Sequence, residues 1–104
     1  MKKNFIIFEG LIDEAIYGDV MLSDISSLVK KIKKEKANII KAISALEGVS
    51  ERRAAYKQLN RLMYQLYCAR CCVKPETKDD KGKVIPAVYI SASSMANMVI
   101  CYRV

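Results

Sequence analysis

Histidine is absent from all 104 residues. The side chain that titrates near neutral pH is therefore missing, and with it His-based acid–base work and His activation of a nucleophile. Glycine is scarce: the four residues, at positions 10, 18, 48 and 82, never gather into a loop that cradles phosphate. Acidic residues are outnumbered, 11 against 18 basic ones, for a net charge of +7. No secretory segment is expected, because the apolar run after Lys2 and Lys3 is short and Glu9, Asp13 and Glu14 interrupt it. No membrane span is expected either. Residues 84–102 approach the needed length, but Pro86, Asn97 and several serines lie within them. Adjacent Asp13 and Glu14 point to different sides of a helix, and Asp79 and Asp80 fall in a polar loop, so both pairs read as solvated surface. No catalytic residue, cofactor or enzymatic activity is expected.

What is present is helical periodicity. The chain has the size and apolar content of one domain, residues 1–104. Its centre, residues 24–73, reads as a basic helical hairpin. Ser23 or Asp24 is placed to cap a first helix with apolar residues at Ile25, Val29, Ile32, Ile39, Ile43 and Leu46. Lys36 fills a gap in that seam, where its stem can lie on the stripe and its amine reach water; the rival role is fixing register in a dimer. Gly48 suits a left-handed helix end, and Ser50 suits the cap of a second helix. That helix carries Ala55, Leu59, Leu62, Leu66 and Val73, widened by Tyr56, Met63 and Tyr67, and runs to Pro75. So short a connection makes the two helices antiparallel neighbours.

The flanks differ in chemistry. Residues 1–20 read as an acidic helix with Phe5, Phe8, Leu11, Ile12, Ala15 and Ile16 on its apolar side and Gly18 closing it; a strand over residues 5–8 is the alternative. Residues 76–83 (ETKDDKGK) form an exposed loop. Residues 84–104 are apolar and rich in strand formers. They predict either a hairpin, with its turn at residues 91–94, or a last helix capped by Ser93 or Ser94. The expected fold class is mainly α (α+β): an antiparallel helical hairpin plus an N-terminal helix, with a small C-terminal β-hairpin or short helix packed on it.

Three of the four cysteines cluster as Cys68-Ala69-Arg70-Cys71-Cys72, with Cys101 far away. A Cys-x-x-Cys spacing is half of a zinc site. Here it falls near the end of a predicted helix, away from the N-terminal position that lowers a thiol pKa, and the chain offers no histidine to complete the ligand set. The cysteines therefore read as small buried hydrophobes covered by the C-terminal segment, with no bound metal, in a reducing cytoplasm.

Charge is the strongest functional signal. Residues 1–24 hold two positive and five negative side chains, whereas residues 25–74 hold twelve positive and three negative. Lys30, Lys34 and Lys41 fall opposite the first seam. Lys57 and Arg61 fall opposite the second, next to Tyr64, and Arg53 stands near the start of that helix. If the two rows merge, they form one basic surface for an acidic protein or nucleoprotein partner, and a tyrosine among cations can also stack a base of DNA or RNA. The expected function is a small interaction protein, an inhibitor or regulator of the kind phages and other mobile elements carry. A sequence-independent nucleic-acid-binding module is the alternative, and a homodimer is compatible with both.

Overall fold

The first helix, α1 (Lys2–Tyr17), buries Phe5, Phe8, Ile12 and Ala15, the side its three- and four-residue spacing defines. The chain thus takes the helix over the strand at residues 5–8. Gly18 closes α1: its N–H donates to the Glu14 carbonyl at 2.9 Å. A Cβ at this position would stand 2.5 Å from that same oxygen, so the closure requires glycine. This computed structural model describes residues 2–99.

A 3-10 turn (Leu22–Asp24) leads into α2 (Ile25–Ser44). The expected side-chain cap from Ser23 or Asp24 is not made. The turn itself sets the start, with the Asp24 N–H donating to the Met21 carbonyl at 2.8 Å. The helix buries Ile25, Leu28, Ile32, Lys36, Ile39 and Ile43. Lys36 departs from the snorkelling expectation. It is 2 % exposed, so its amine does not reach bulk water, and it is engaged in a polar or electrostatic interaction.

Residues 45–48 join α2 to α3 (Val49–Cys68). Gly48 is extended, at φ −79° and ψ 131°, and precedes α3 as its N-cap; Ser50 lies inside the helix. A left-handed residue is not needed here because Arg52 does its work. Its guanidinium reaches back from the first turns of α3 and donates to the carbonyls of Leu46 and, at 3.1 Å, Glu47. Two carbonyls of the connection are thus satisfied by a side chain of the next helix, while those of Ala42 and Ile43 in the last turn of α2 accept from the N–H groups of Ala45 and Leu46.

The second helix ends five residues earlier than its apolar stripe suggests. Ala69 turns to extended backbone, and residues 70–74 form β1 (Arg70–Lys74). Two short strands follow, β2 (Thr77–Lys78) and β3 (Val84–Ile85), then β4 (Val88–Ser91) and α4 (Ala92–Val99). Strand β4 runs antiparallel to β1, with Cys71 opposite Ile90 and Cys72 opposite Tyr89. The Ala92 N–H donates to the Ala69 carbonyl at 2.9 Å, joining the end of one helix to the start of the other. The C-terminal segment is therefore both strand and helix. Its strand pairs back to residues 70–74, and residues 92–94 begin a helix where a turn was an alternative. Residues 100–104, the far half of the expected tail hairpin, lie outside the described residues.

The four helices share one core. Helix α1 packs on both α2 and α3, α4 packs on the same two, and β1 lies against α1. The hairpin pair is thus flanked on both of its open sides. The expected exposed loop is the tip of a second two-stranded ribbon, β2 with β3. Asp79 organises it. Its carboxylate accepts from the N–H groups of Lys81 (2.9 Å) and Lys83 (2.8 Å), its carbonyl accepts from Gly82 (3.0 Å), and Gly82 takes φ +78°. This is a three-residue hairpin loop with glycine at the left-handed position. All residues from 75 to 86 are exposed. The chain has extents of 62 × 20 × 19 Å and a radius of gyration of 16.2 Å; a compact domain of this length has about 13 Å. Among the described residues no helix is long and apolar enough to cross a membrane.

Leu59 and Leu66 are both fully buried on the inner side of α3. Leu59→Ala or Leu66→Ala should cost about 2–5 kcal/mol by leaving a cavity, whereas Ile6→Ala on the exposed side of α1 should cost less than about 1 kcal/mol. Urea denaturation of the three variants measures this, and equal costs at all three positions contradict the packing.

Candidate functional site

All seven residues expected to form a binding surface are exposed: Lys30, Lys34, Lys41, Arg53, Lys57, Arg61 and Tyr64. Helical geometry groups them. Lys30, Lys34 and Lys41 fall within a sector of roughly 40° on α2, and Arg53, Lys57, Arg61 and Tyr64 within roughly 80° on α3. Each row stands opposite the buried side of its helix. Because α1 and α4 fill the sides of the α2–α3 pair, the outward faces of the two helices point in opposite directions. The rows are two separate strips rather than the single surface expected. A row defined by facing away from the seam also faces away from the partner helix.

The strips differ in chemistry. The α2 strip carries only lysines from the expected set, each a flexible and strongly hydrated point charge. The α3 strip interleaves two guanidinium groups and an ammonium with Tyr64, and Tyr67 is exposed beside it; the two tyrosines are 69 % and 51 % exposed. Cys68 lies one turn on from Tyr64. Its sulfur as a hydrogen-bonding neighbour, and then its thiolate charge, raise the Tyr64 hydroxyl above its ordinary 10.0.

Arg61 has a second setting. It borders a cleft of about 390 Å³ between α1 and α3. From α1 come Glu9, Asp13, Ile16 and Tyr17; facing them are Arg61, Leu62, Gln65, Cys68 and Ala69. Spacing places Glu9 and Asp13 one turn apart on α1, and the fold sets that acidic edge against a basic helix. Sequence reasoning missed this cleft. The four-residue spacing of Glu9 and Asp13 is its one local signal, and only the packing of α1 on α3 brings in Arg61 and Gln65.

The thiols do not converge. Cys68 is exposed at the end of α3, Cys71 is buried and Cys72 is half-buried, and all three are free. Strand alternation sends Cys71 to the core side of β1 and Cys72 to the outer side. Among the described residues no group of three or more Cys, Asp or Glu side chains is placed to hold a metal ion. Cys101 lies outside the described residues. The outer side of β1 carries a different contact: the Arg70 guanidinium sits 4.3 Å from the centre of the Tyr89 ring, a cation–π pair across the ribbon.

Comparisons with protein-family models, with curated proteins and with solved structures give no match for this chain.

Burial raises the Cys71 thiol above its ordinary 9.0. The thiols should therefore react with iodoacetamide in the order Cys68, Cys72, Cys71, read by peptide mass spectrometry, with Cys71 labelled only on unfolding. The same shift sets a sign for stability. The contribution from neutral Cys71 is fully present below pH 9.0, and it is lost as pH rises through the higher folded-state value. Early labelling of Cys71 at neutral pH contradicts its place in the core.

Proposed function

We propose that this chain is a small non-enzymatic interaction protein, an inhibitor or regulator, that docks the outer strip of α3 on an acidic protein or nucleoprotein partner. The observation that carries this reading is the composition of the strip. Arg53, Lys57, Arg61 and Tyr64 project together from a helix whose other side is buried in the core. Arginine and tyrosine are the side chains that most often anchor interfaces, and a helix already fixed by its core loses little freedom on docking. The α2 lysines add long-range attraction and solubility from the far side. Free thiols at positions 68, 71 and 72 fit work in a reducing cytoplasm.

The second reading, a nucleic-acid partner, draws support from the same tyrosines. Exposed aromatic rings among cations offer stacking surfaces beside phosphate contacts. Salt separates the two. Phosphate binding makes the logarithm of affinity fall steeply and linearly with the logarithm of salt concentration, whereas an interface anchored by aromatic contacts responds weakly.

The partner is to be isolated by affinity capture from native host extract, with and without nuclease, and its binding then measured with purified components. Arg53→Glu with Lys57→Glu should leave the far-UV circular dichroism unchanged and lower affinity at least about tenfold, or about 1.4 kcal/mol. Lys30→Glu with Lys34→Glu, on the opposite side, should cost much less. Undiminished affinity in the α3 pair would reduce that strip to a solvated surface.

A further inference from the structure

We propose that the cleft between α1 and α3 binds a basic α-amino acid of the arginine or lysine type, independently of docking through the α3 strip. The cleft has two anionic groups on one wall, Glu9 and Asp13, and one cationic group on the other, Arg61. The complement of that set is a small molecule with two positive charges and one negative. A basic α-amino acid carries an α-ammonium, a side-chain cation and a carboxylate on one short stem.

Four features of the site support this match. First, the walls are helices held by a shared core, so the backbone positions that carry the charges are fixed without a ligand. Second, the polar groups remain available: among the described residues the side chains of Glu9, Asp13, Arg61 and Gln65 form no hydrogen bond or ion pair within the chain. Third, like charges one helical turn apart repel, and a cation set between Glu9 and Asp13 relieves that repulsion. Fourth, Ile16 and Leu62 give the cleft an apolar lining between its charged walls, where the methylene stem of the ligand can lie. The volume of about 390 Å³ lies at the small end of the range for sites that hold small molecules. In the bound arrangement Arg61 takes the ligand carboxylate, a fork-to-fork pairing that a lysine would not reproduce. Glu9 and Asp13 take the two cations, and the Gln65 amide is a further partner for the carboxylate.

Titration of the full chain with L-arginine and L-lysine, followed by amide chemical shifts and calorimetry, tests the assignment. Three arginine analogues each delete one charge: agmatine lacks the carboxylate, Nα-acetylarginine the α-ammonium, and citrulline the side-chain cation. The expected result is saturable binding of at least one of the two amino acids, with shifts centred on residues 9–17 and 61–69. Each analogue of arginine, or its lysine counterpart, should bind at least about tenfold more weakly. Asp13→Asn should weaken the amino acid by a similar factor. Arg61→Gln should bring it down to the level of the decarboxylated analogue while leaving that analogue unaffected. Arg53→Glu, in the α3 strip but outside the cleft and more than two turns from Arg61, should change none of these values, and this separates the site from the α3 strip. The assignment is overturned if neither amino acid gives a saturable response by about 10 mM. It is also overturned if the analogue without the side-chain cation binds equally well, or if Asp13→Asn has no effect while circular dichroism shows the variant folded.

Discussion

Five residues of backbone, Arg70–Lys74, run along α1, and their N–H and C=O groups must be paired wherever water is excluded. Strand β4 supplies that pairing, and much else follows from it. Helix α3 stops at Cys68 because the following residues gain more from the ladder and from burying Cys71 and Val73 than from another turn of helix. The returning strand delivers Ala92 to the point where α3 ended, so α4 begins beside the helix it packs against. That places Met95 and Ala96 in the core and closes the side of the hairpin that α1 leaves open. Without the pairing, a side of α2 and α3 would stand uncovered.

The same packing sorts the charges. Two basic helices share one core, so their cations are pushed to opposite sides, where repulsion between the strips is weakened by distance and by salt. The acidic helix α1 lies on one flank, along the edge where Arg61 emerges. A chain with a net charge of +7 thus shows three chemically distinct surfaces: a lysine strip, an arginine–tyrosine strip and a mixed-charge cleft. Lys36 is the exception to outward sorting. It is 2 % exposed on the side of α2 that buries Ile32, Ile39 and Ile43, where an ammonium is costly unless it is paired, and it makes a polar or electrostatic interaction there.

Much of this was legible in the residues. The periodicity of Phe5, Phe8 and Ile12 marked α1. Ile25, Ile32, Ile39 and Ile43 marked the inner side of α2, and Leu59, Leu62 and Leu66 that of α3. These signals are local, since a face repeating every three or four residues needs no knowledge of the rest of the chain. The misreadings share the opposite property. Val73 continued the α3 stripe numerically, but its strand state depends on residues 88–91, which lie far along the chain. Gly48 looked like a helix end because the reach of Arg52 to Leu46 and Glu47 is a matter of geometry between two helices. The cleft was hidden for the same reason: Glu9 and Asp13 are ordinary surface residues until α3 brings Arg61 and Gln65 to face them.

Proline occurs twice, at positions 75 and 86, and both residues stand at the base of the β2–β3 ribbon. Neither has an N–H to give, so the hydrogen-bonded ladder is interrupted there and the outer ribbon is a sheet of its own. Its shape comes from Asp79 and Gly82 at the tip, and it buries no side chain against the body of the protein. Opening this segment therefore disturbs nothing in the core, and its amides should exchange with solvent by a route separate from global unfolding. A protease that nicks the tip would leave the four helices standing, held together by their packing and by the β1–β4 ladder. The chain thus has two levels of cooperativity: a body that melts as one unit, and a projecting arm that opens and closes while the body stays folded.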